Sequence, residues 1–185
     1  RKSPVRVKNV DSVVDIASGF QHSLFLLRNG TVWGTGGNGK HQLGVTTGLD
    51  TTLPWRIAGI DASVETVVAG HYSTLFLMVD GTLMGCGYNH VGQLGLGTVH
   101  TQKVPVQVPG LAGVAQVSAQ WQNVVVLLRD GSVRTFGFNS HGQIGDGTSR
   151  NSLSPVRPQG VDGVASVAAM GMATVFGMRD GSVMA

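Results

Sequence analysis

The chain lacks most of what would announce a reaction. It has one cysteine, Cys86, in 185 residues, so no internal disulfide framework can form. That count leaves both reducing and oxidising compartments open. Charged residues are scarce at 12%, and 13 Lys and Arg against 10 Asp and Glu give a formal net charge of +3. The basic side chains are scattered, with no cluster beyond Arg1-Lys2, which argues against a nucleic-acid surface. No apolar run approaches the roughly 18 residues of a membrane-spanning helix. The six histidines, His22, His41, His71, His90, His100 and His141, form no His-x-x-x-His pair and no cluster with the cysteine, so no metal site is expected. Nor is there an acid/base pair of carboxylates, because Asp80, Asp130 and Asp180 each precede a glycine and read as turn residues. The start, Arg1-Lys2-Ser3-Pro4, opens no signal peptide and holds no initiator Met. The chain is therefore expected to begin inside a longer gene product or behind a removed segment. A soluble protein of cytoplasm or nucleus is the expectation.

Glycine, by contrast, is abundant, at 28 of 185 residues. It recurs at a fixed step. Asn29-Gly30, Asp80-Gly81, Asp130-Gly131 and Asp180-Gly181 lie 51, 50 and 50 residues apart, and Pro4, Pro54, Pro105 and Pro155 keep that step. A period near fifty residues marks a repeat protein, with units of approximately 1–50, 51–101, 102–151 and 152–185, the last cut short. Within a unit the hydrophobic period is two. Ser23-Leu24-Phe25-Leu26-Leu27 runs into Asn29-Gly30 and then Thr31-Val32-Trp33. Extended runs on either side of an Asn-Gly or Asp-Gly pair predict a hairpin whose central residues take positive φ. A further strand precedes each hairpin, and the proline segment predicts an edge strand, since proline donates no ladder hydrogen bond. About four strands per unit and no helical period predict an all-β fold. It is a β-propeller with four-stranded blades of about 51 residues, of which this chain holds roughly three and a half.

One segment imitates a nucleotide site. Gly34-Thr35-Gly36-Gly37-Asn38-Gly39-Lys40 satisfies Gly-x-Gly-x-x-Gly and most of a phosphate-binding loop. Both motifs need a helix N-terminus, and no helical pattern follows. Repeat phase accounts for the match, because Gly34, Gly36 and Asn38 align with Gly85, Gly87 and Asn89. No cofactor is expected. His22-Ser23 does not read as a nucleophile and its base either, since adjacent strand residues point to opposite faces.

Gly92-Gln93-Leu94-Gly95-Leu96-Gly97-Thr98, Gly142-Gln143-Ile144-Gly145-Asp146-Gly147-Thr148 and Gly19-Phe20-Gln21-His22-Ser23, with the four hairpins, resemble the regulator of chromosome condensation repeat family over essentially the whole chain. The resemblance implies a ring of about seven blades, with the plug Leu or Ile set between blades and His22 fastening the inner strands. This chain would then be part of a larger propeller, or half of a ring completed by a second copy. It also implies guanine-nucleotide exchange on a small GTPase as an alternative activity. The 50- to 51-residue spacing leaves no room for the protruding insertion that the founding type uses for it. Light sensing, as in the plant ultraviolet-B photoreceptors that resemble the family, would need clustered Trp-Arg pairs, and Trp33, Trp55 and Trp121 occupy different phases.

The positions that change type while their flanking strands persist are Phe20-Gln21, His71-Tyr72, Trp121-Gln122 and Gly171-Met172. The resemblance places them on one face of the disc, near the central channel. Aromatic and Met side chains on loops of a rigid scaffold are typical contact residues. The sequence thus predicts a non-catalytic protein-interaction scaffold with Phe20, Gln21, His71, Tyr72, Trp121, Gln122 and Met172 as its contact face.

Overall fold

The computed structural model describes residues 3–60 and 63–185. Fifteen strands and no helix occur among these residues. They form four antiparallel meanders: β1 (Val13–Ser18) to β4 (Thr51–Arg56), β5 (Val64–Ala69) to β8 (Gln102–Gln107), β9 (Val114–Gln120) to β12 (Ser152–Val156), and β13 (Val164–Ala169) to β15 (Val183–Met184). Between these lie β2 (His22–Leu27), β3 (Val32–Gly36), β6 (Ser73–Met78), β7 (Leu83–Gly87), β10 (Asn123–Leu128), β11 (Val133–Gly137) and β14 (Thr174–Met178). Each meander is a blade, and the chain is a partial β-propeller. The period-two pattern is the cause: β2 alternates buried Leu24 and Leu26 with half-buried Phe25 and Leu27.

The step of the repeat is as the sequence predicts, but the sheets do not start where the units do. The proline strands β4, β8 and β12 pair with β3, β7 and β11, so proline closes a blade rather than opening the next. They are edge strands, as proline requires. The segment around Pro4 pairs with no strand among the described residues.

The hairpins also differ in detail. In all four, only the glycine takes positive φ: 77° at Gly30, 81° at Gly81, 85° at Gly131 and 87° at Gly181. Leu27 N–H donates to Thr31 O, and Gly30 N–H to Leu27 O. This is a three-residue loop, a type I turn followed by a left-handed glycine, and not a two-residue loop with both central residues left-handed. The Asp side chain takes another part. Asp80 accepts from Thr82 N–H at 2.8 Å, and those bonds hold its carboxyl below the usual range.

Blades are joined face to face. Leu43, Leu94 and Ile144 are fully buried, and Leu43 packs with Leu24 of its own blade and Phe76 and Cys86 of the next. Burying one such side chain contributes about 2 kcal/mol. Val67, Val117 and Val167 are 3%, 8% and 4% exposed because the preceding blade covers them, whereas their counterpart Ile16 on the first blade is 69% exposed. The innermost strands of neighbouring blades also bond directly. Val67 N–H donates to Asp15 Oδ2 at 3.2 Å, and Gln116 exchanges two bonds with the Val167 backbone at 3.1 and 3.2 Å.

A third joint lies one layer out. His22 Nε2 meets Thr74 Oγ1 of the second blade at 3.0 Å, and that hydroxyl donates to Gln42 O at 2.6 Å. Between the third and fourth blades, Asn123 Nδ2 donates to Thr174 Oγ1 at 2.9 Å, which donates to Gln143 O at 2.8 Å. Asn123 stands in phase with His22 and performs the same task. Burial pushes the His22 imidazole down to about 4 from an ordinary 6.5. Between those values the unfolded chain takes up a proton that the folded chain refuses. The contribution is therefore full above pH 6.5 and lost as pH falls toward 4. His22→Asn is expected to keep the joint and flatten this part of the stability profile, while His22→Ala costs about 2 kcal/mol. Thermal melts of the three proteins across that pH window check both statements; an unchanged acid slope in His22→Asn would contradict them.

Candidate functional site

All β1–β2-type turns and all β3–β4-type loops project from one end of the sheets, because the start of each second strand pairs with the end of the third, as His22 does with Gly36. The two sets of segments are clamped together through backbone. Gly37 N–H donates to Gln21 O at 2.5 Å, Tyr88 N–H to Tyr72 O at 2.9 Å and Phe138 N–H to Gln122 O at 2.8 Å. The approach is close enough that a Cβ on Gly36, Gly87 or Gly137 would strike those same carbonyl oxygens. This explains the Gly-x-Gly spacing that imitates a nucleotide loop. The glycines let a strand end reach a turn, and no helix follows.

The clamp uses the backbone and leaves side chains free. Phe20 is 61% exposed and Trp121 57%. Successive turns are linked by a backbone rail, Phe20 N–H to His71 O at 3.2 Å and His71 N–H to Trp121 O at 2.8 Å. The rings follow the rail. Phe20 lies 4.4 Å from His71 between centroids, His71 lies 4.2 Å from Tyr72, and His71 stacks on Trp121 at 6.0 Å and 20°. Burial under these neighbours pulls the His71 imidazole below its ordinary range. A cleft of about 180 Å³ opens along the rail between Phe20, Gly70, His71 and Trp121. Beyond Trp121 the next turn carries Gly171, where any side chain would sit 3.7 Å from the indole.

Of the seven residues that sequence reasoning selects, Phe20, His71, Tyr72 and Trp121 form one contiguous group. Gln21 and Gln122 flank it, each on a clamping turn. Met172 lies apart, in a cleft of about 320 Å³ with His141, Pro158 and Phe176. Three further residues belong to the group and were missed. Tyr88 meets Tyr72 edge-on at 6.3 Å, His90 stacks on Tyr88 at 4.4 Å and 16°, and Lys40 Nζ stands 5.4 Å from the Tyr88 ring centre. A signal was available for Tyr88 alone, since Gly37, Tyr88 and Phe138 occupy one phase position before the loop asparagine and change type there.

Trp121 is strained. Its φ is +53°, a left-handed conformation that costs an L-residue about 1–2 kcal/mol. A bulky side chain there is an outlier that points toward function. His22 turns to Thr74 of the next blade and not to Ser23. Among the described residues, no three of His, Cys, Asp and Glu come together in a way that could hold a metal ion.

The sequence of the regulator of chromosome condensation (RCC1) repeat matches residues 29–77, 80–127 and 130–176, and a second description of the repeat matches 13–42, 64–93 and 114–143. The chain belongs to this family. It is similar to the ultraviolet-B receptor UVR8 of Arabidopsis thaliana, at 29% identity over 125 residues, 66% of this chain and 28% of the relative. Human protein RCC2 is 37% identical over 102 residues, 55% of this chain and 19% of the relative. The RCC1-like G exchanging factor-like protein of Mus musculus is 32% identical over 111 residues, 57% and 24%. Among solved structures, human WBSCR16 superposes with a TM-score of 0.83 at 26% identity, over 92% of this chain and 46% of that one. Prp20p of Saccharomyces cerevisiae, described with its binding to Gsp1p and histones, superposes at 0.85 and 23% identity, over 99% and 47%. The chain spans about a quarter of these curated relatives and about half of these solved chains.

The strain at Trp121 generates a prediction. Trp121→Gly relieves the left-handed backbone and is expected to melt at or above wild type, by up to about 1 kcal/mol. Trp121→Ala keeps the strain, loses the stacking and melts lower. Calorimetry of both variants decides it, and equal losses in the two would show that the turn is unstrained.

Proposed function

We propose that this chain is a non-catalytic docking platform for protein partners, whose contact surface is the ring group of Phe20, His71, Tyr72 and Trp121, flanked by Gln21 and Gln122, with Met172 in the separate cleft beyond. The observation that carries this reading is Trp121: a large, exposed indole held in a left-handed turn where the next blade has Gly171. A fold gains nothing by straining a backbone to expose an indole; a partner that buries it does. Large aromatic anchors surrounded by polar neighbours are the usual composition of binding hot spots. The uncovered first-blade face around Ile16 is proposed to meet further blades. The other blades of a larger propeller, or a second copy of this chain, would supply that cover.

A second reading, guanine-nucleotide exchange on a small GTPase, draws on one observation, the 32% identity to the mouse RCC1-like G exchanging factor-like protein. Release of labelled GDP from a panel of small GTPases tests it, and flat rates across the panel remove it.

The docking reading predicts that Tyr72→Ala and Trp121→Ala each weaken an identified partner by about tenfold or more without unfolding the chain. Partners captured by cross-linking and then titrated calorimetrically against wild type and the two variants provide the measurement. Unchanged affinity in both variants would place the contact surface elsewhere.

A further inference from the structure

The charges on the site end of the propeller are distributed unevenly. Its turns and loops hold the cations Lys40 and Arg150 and the imidazoles of His41, His71, His90, His100 and His141. Among the described residues only two carboxylates lie there, and both are tied down by their own loops. Asp50 accepts from Asn38 N–H at 2.7 Å, and Asp146 accepts from Thr148 N–H and Oγ1 at 2.9 and 2.8 Å. The other described carboxylates are elsewhere. Asp80, Asp130 and Asp180 sit in the hairpins at the opposite end, Asp11 and Asp162 pair there with Arg6 and Arg157, and Asp15 and Glu65 lie on the inner strands below the turns. The ring group therefore faces outward with lysine and imidazole about it and no carboxylate in contact with it. His71 and His90 are themselves members of the stack, and Lys40 stands over Tyr88.

We propose that this face binds an acidic peptide segment with an apolar anchor. This rests on the docking reading above and names the partner's chemistry. The Phe20–Trp121 cleft receives an aliphatic or aromatic side chain, and carboxylates on either side meet Lys40, His90 and His71. A nucleic-acid strand fits less well, because tracking a phosphate backbone needs a continuous run of basic side chains, and among the described residues Lys40 is the one lysine or arginine over the rings.

The probes are a fluorescein-labelled peptide of repeating Asp-Glu-Leu, its Lys-Arg-Leu counterpart and labelled oligodeoxythymidylate, titrated by fluorescence anisotropy at low salt. The acidic peptide is expected to bind, with added salt weakening it. Lys40→Glu and Trp121→Ala should each weaken it by about fivefold or more. Tighter binding of the basic peptide or the oligonucleotide, or no binding of any probe, overturns the proposal. Trp121-dependent binding of the basic peptide would overturn the acidic chemistry and leave the docking platform standing. Binding of every probe unaffected by Trp121→Ala and Tyr72→Ala would overturn both.

Discussion

Burial of one blade's face by the next is the constraint on which everything else hangs. A four-stranded sheet whose two faces are both apolar has no stable existence alone. Here each face is closed by an equivalent of itself, one step along the chain. The buried Val67, Val117 and Val167 set against the exposed Ile16 show the same position with and without that cover. The plug residues Leu43, Leu94 and Ile144 fill the outer gap, and threonine hydroxyls hold the inner one. Because each contact is local to a pair of neighbours, the loops after β3, β7 and β11 need bury only their plug residues, and the turns before β2, β6 and β10 leave side chains such as Phe20 and Trp121 exposed.

Much of this was legible in the residues. The fifty-residue step, the strands and the edge position of proline follow from spacing and period-two patterning, because backbone requirements recur wherever the backbone recurs. The point at which a blade begins was not legible. A period has no origin, and only the pairing of β4 with β3 shows that Pro54 belongs with Trp33 rather than with Val64. Asp-Gly spelled a hairpin but not its loop length, since a three-residue loop with one left-handed glycine uses the same two letters. In the site, the turn residues were visible because they change type against constant flanks. Tyr88 and His90 lie in the loop after β7, joined to the Tyr72 turn by the backbone clamp and by ring contact, and Lys40 lies in the loop after β3 of the preceding blade; sequence distance hides such contacts. Met172 shows the converse: its phase is right, but Gly171 supplies no ring, so the aromatic row ends before reaching it.

The joints between blades are chemically uneven, and this bears on where the site lies. His22 and Asn123 each cap a threonine across a blade boundary. The boundary between the second and third blades has Ser73 and Val124 at those positions, and Val124 has no hydroxyl to donate. At that boundary the turn takes over. Trp121, in its left-handed conformation, aims its carbonyl at His71 N–H at 2.8 Å and stacks its indole on the His71 ring. The strain is thus offset in part by a cross-blade hydrogen bond that the side chains there cannot make. The backbone bond alone would be available to glycine at lower cost. What glycine would not supply is the exposed indole beside Phe20, His71 and Tyr72, and the retention of tryptophan at that position is therefore a property of the surface and not of the joint.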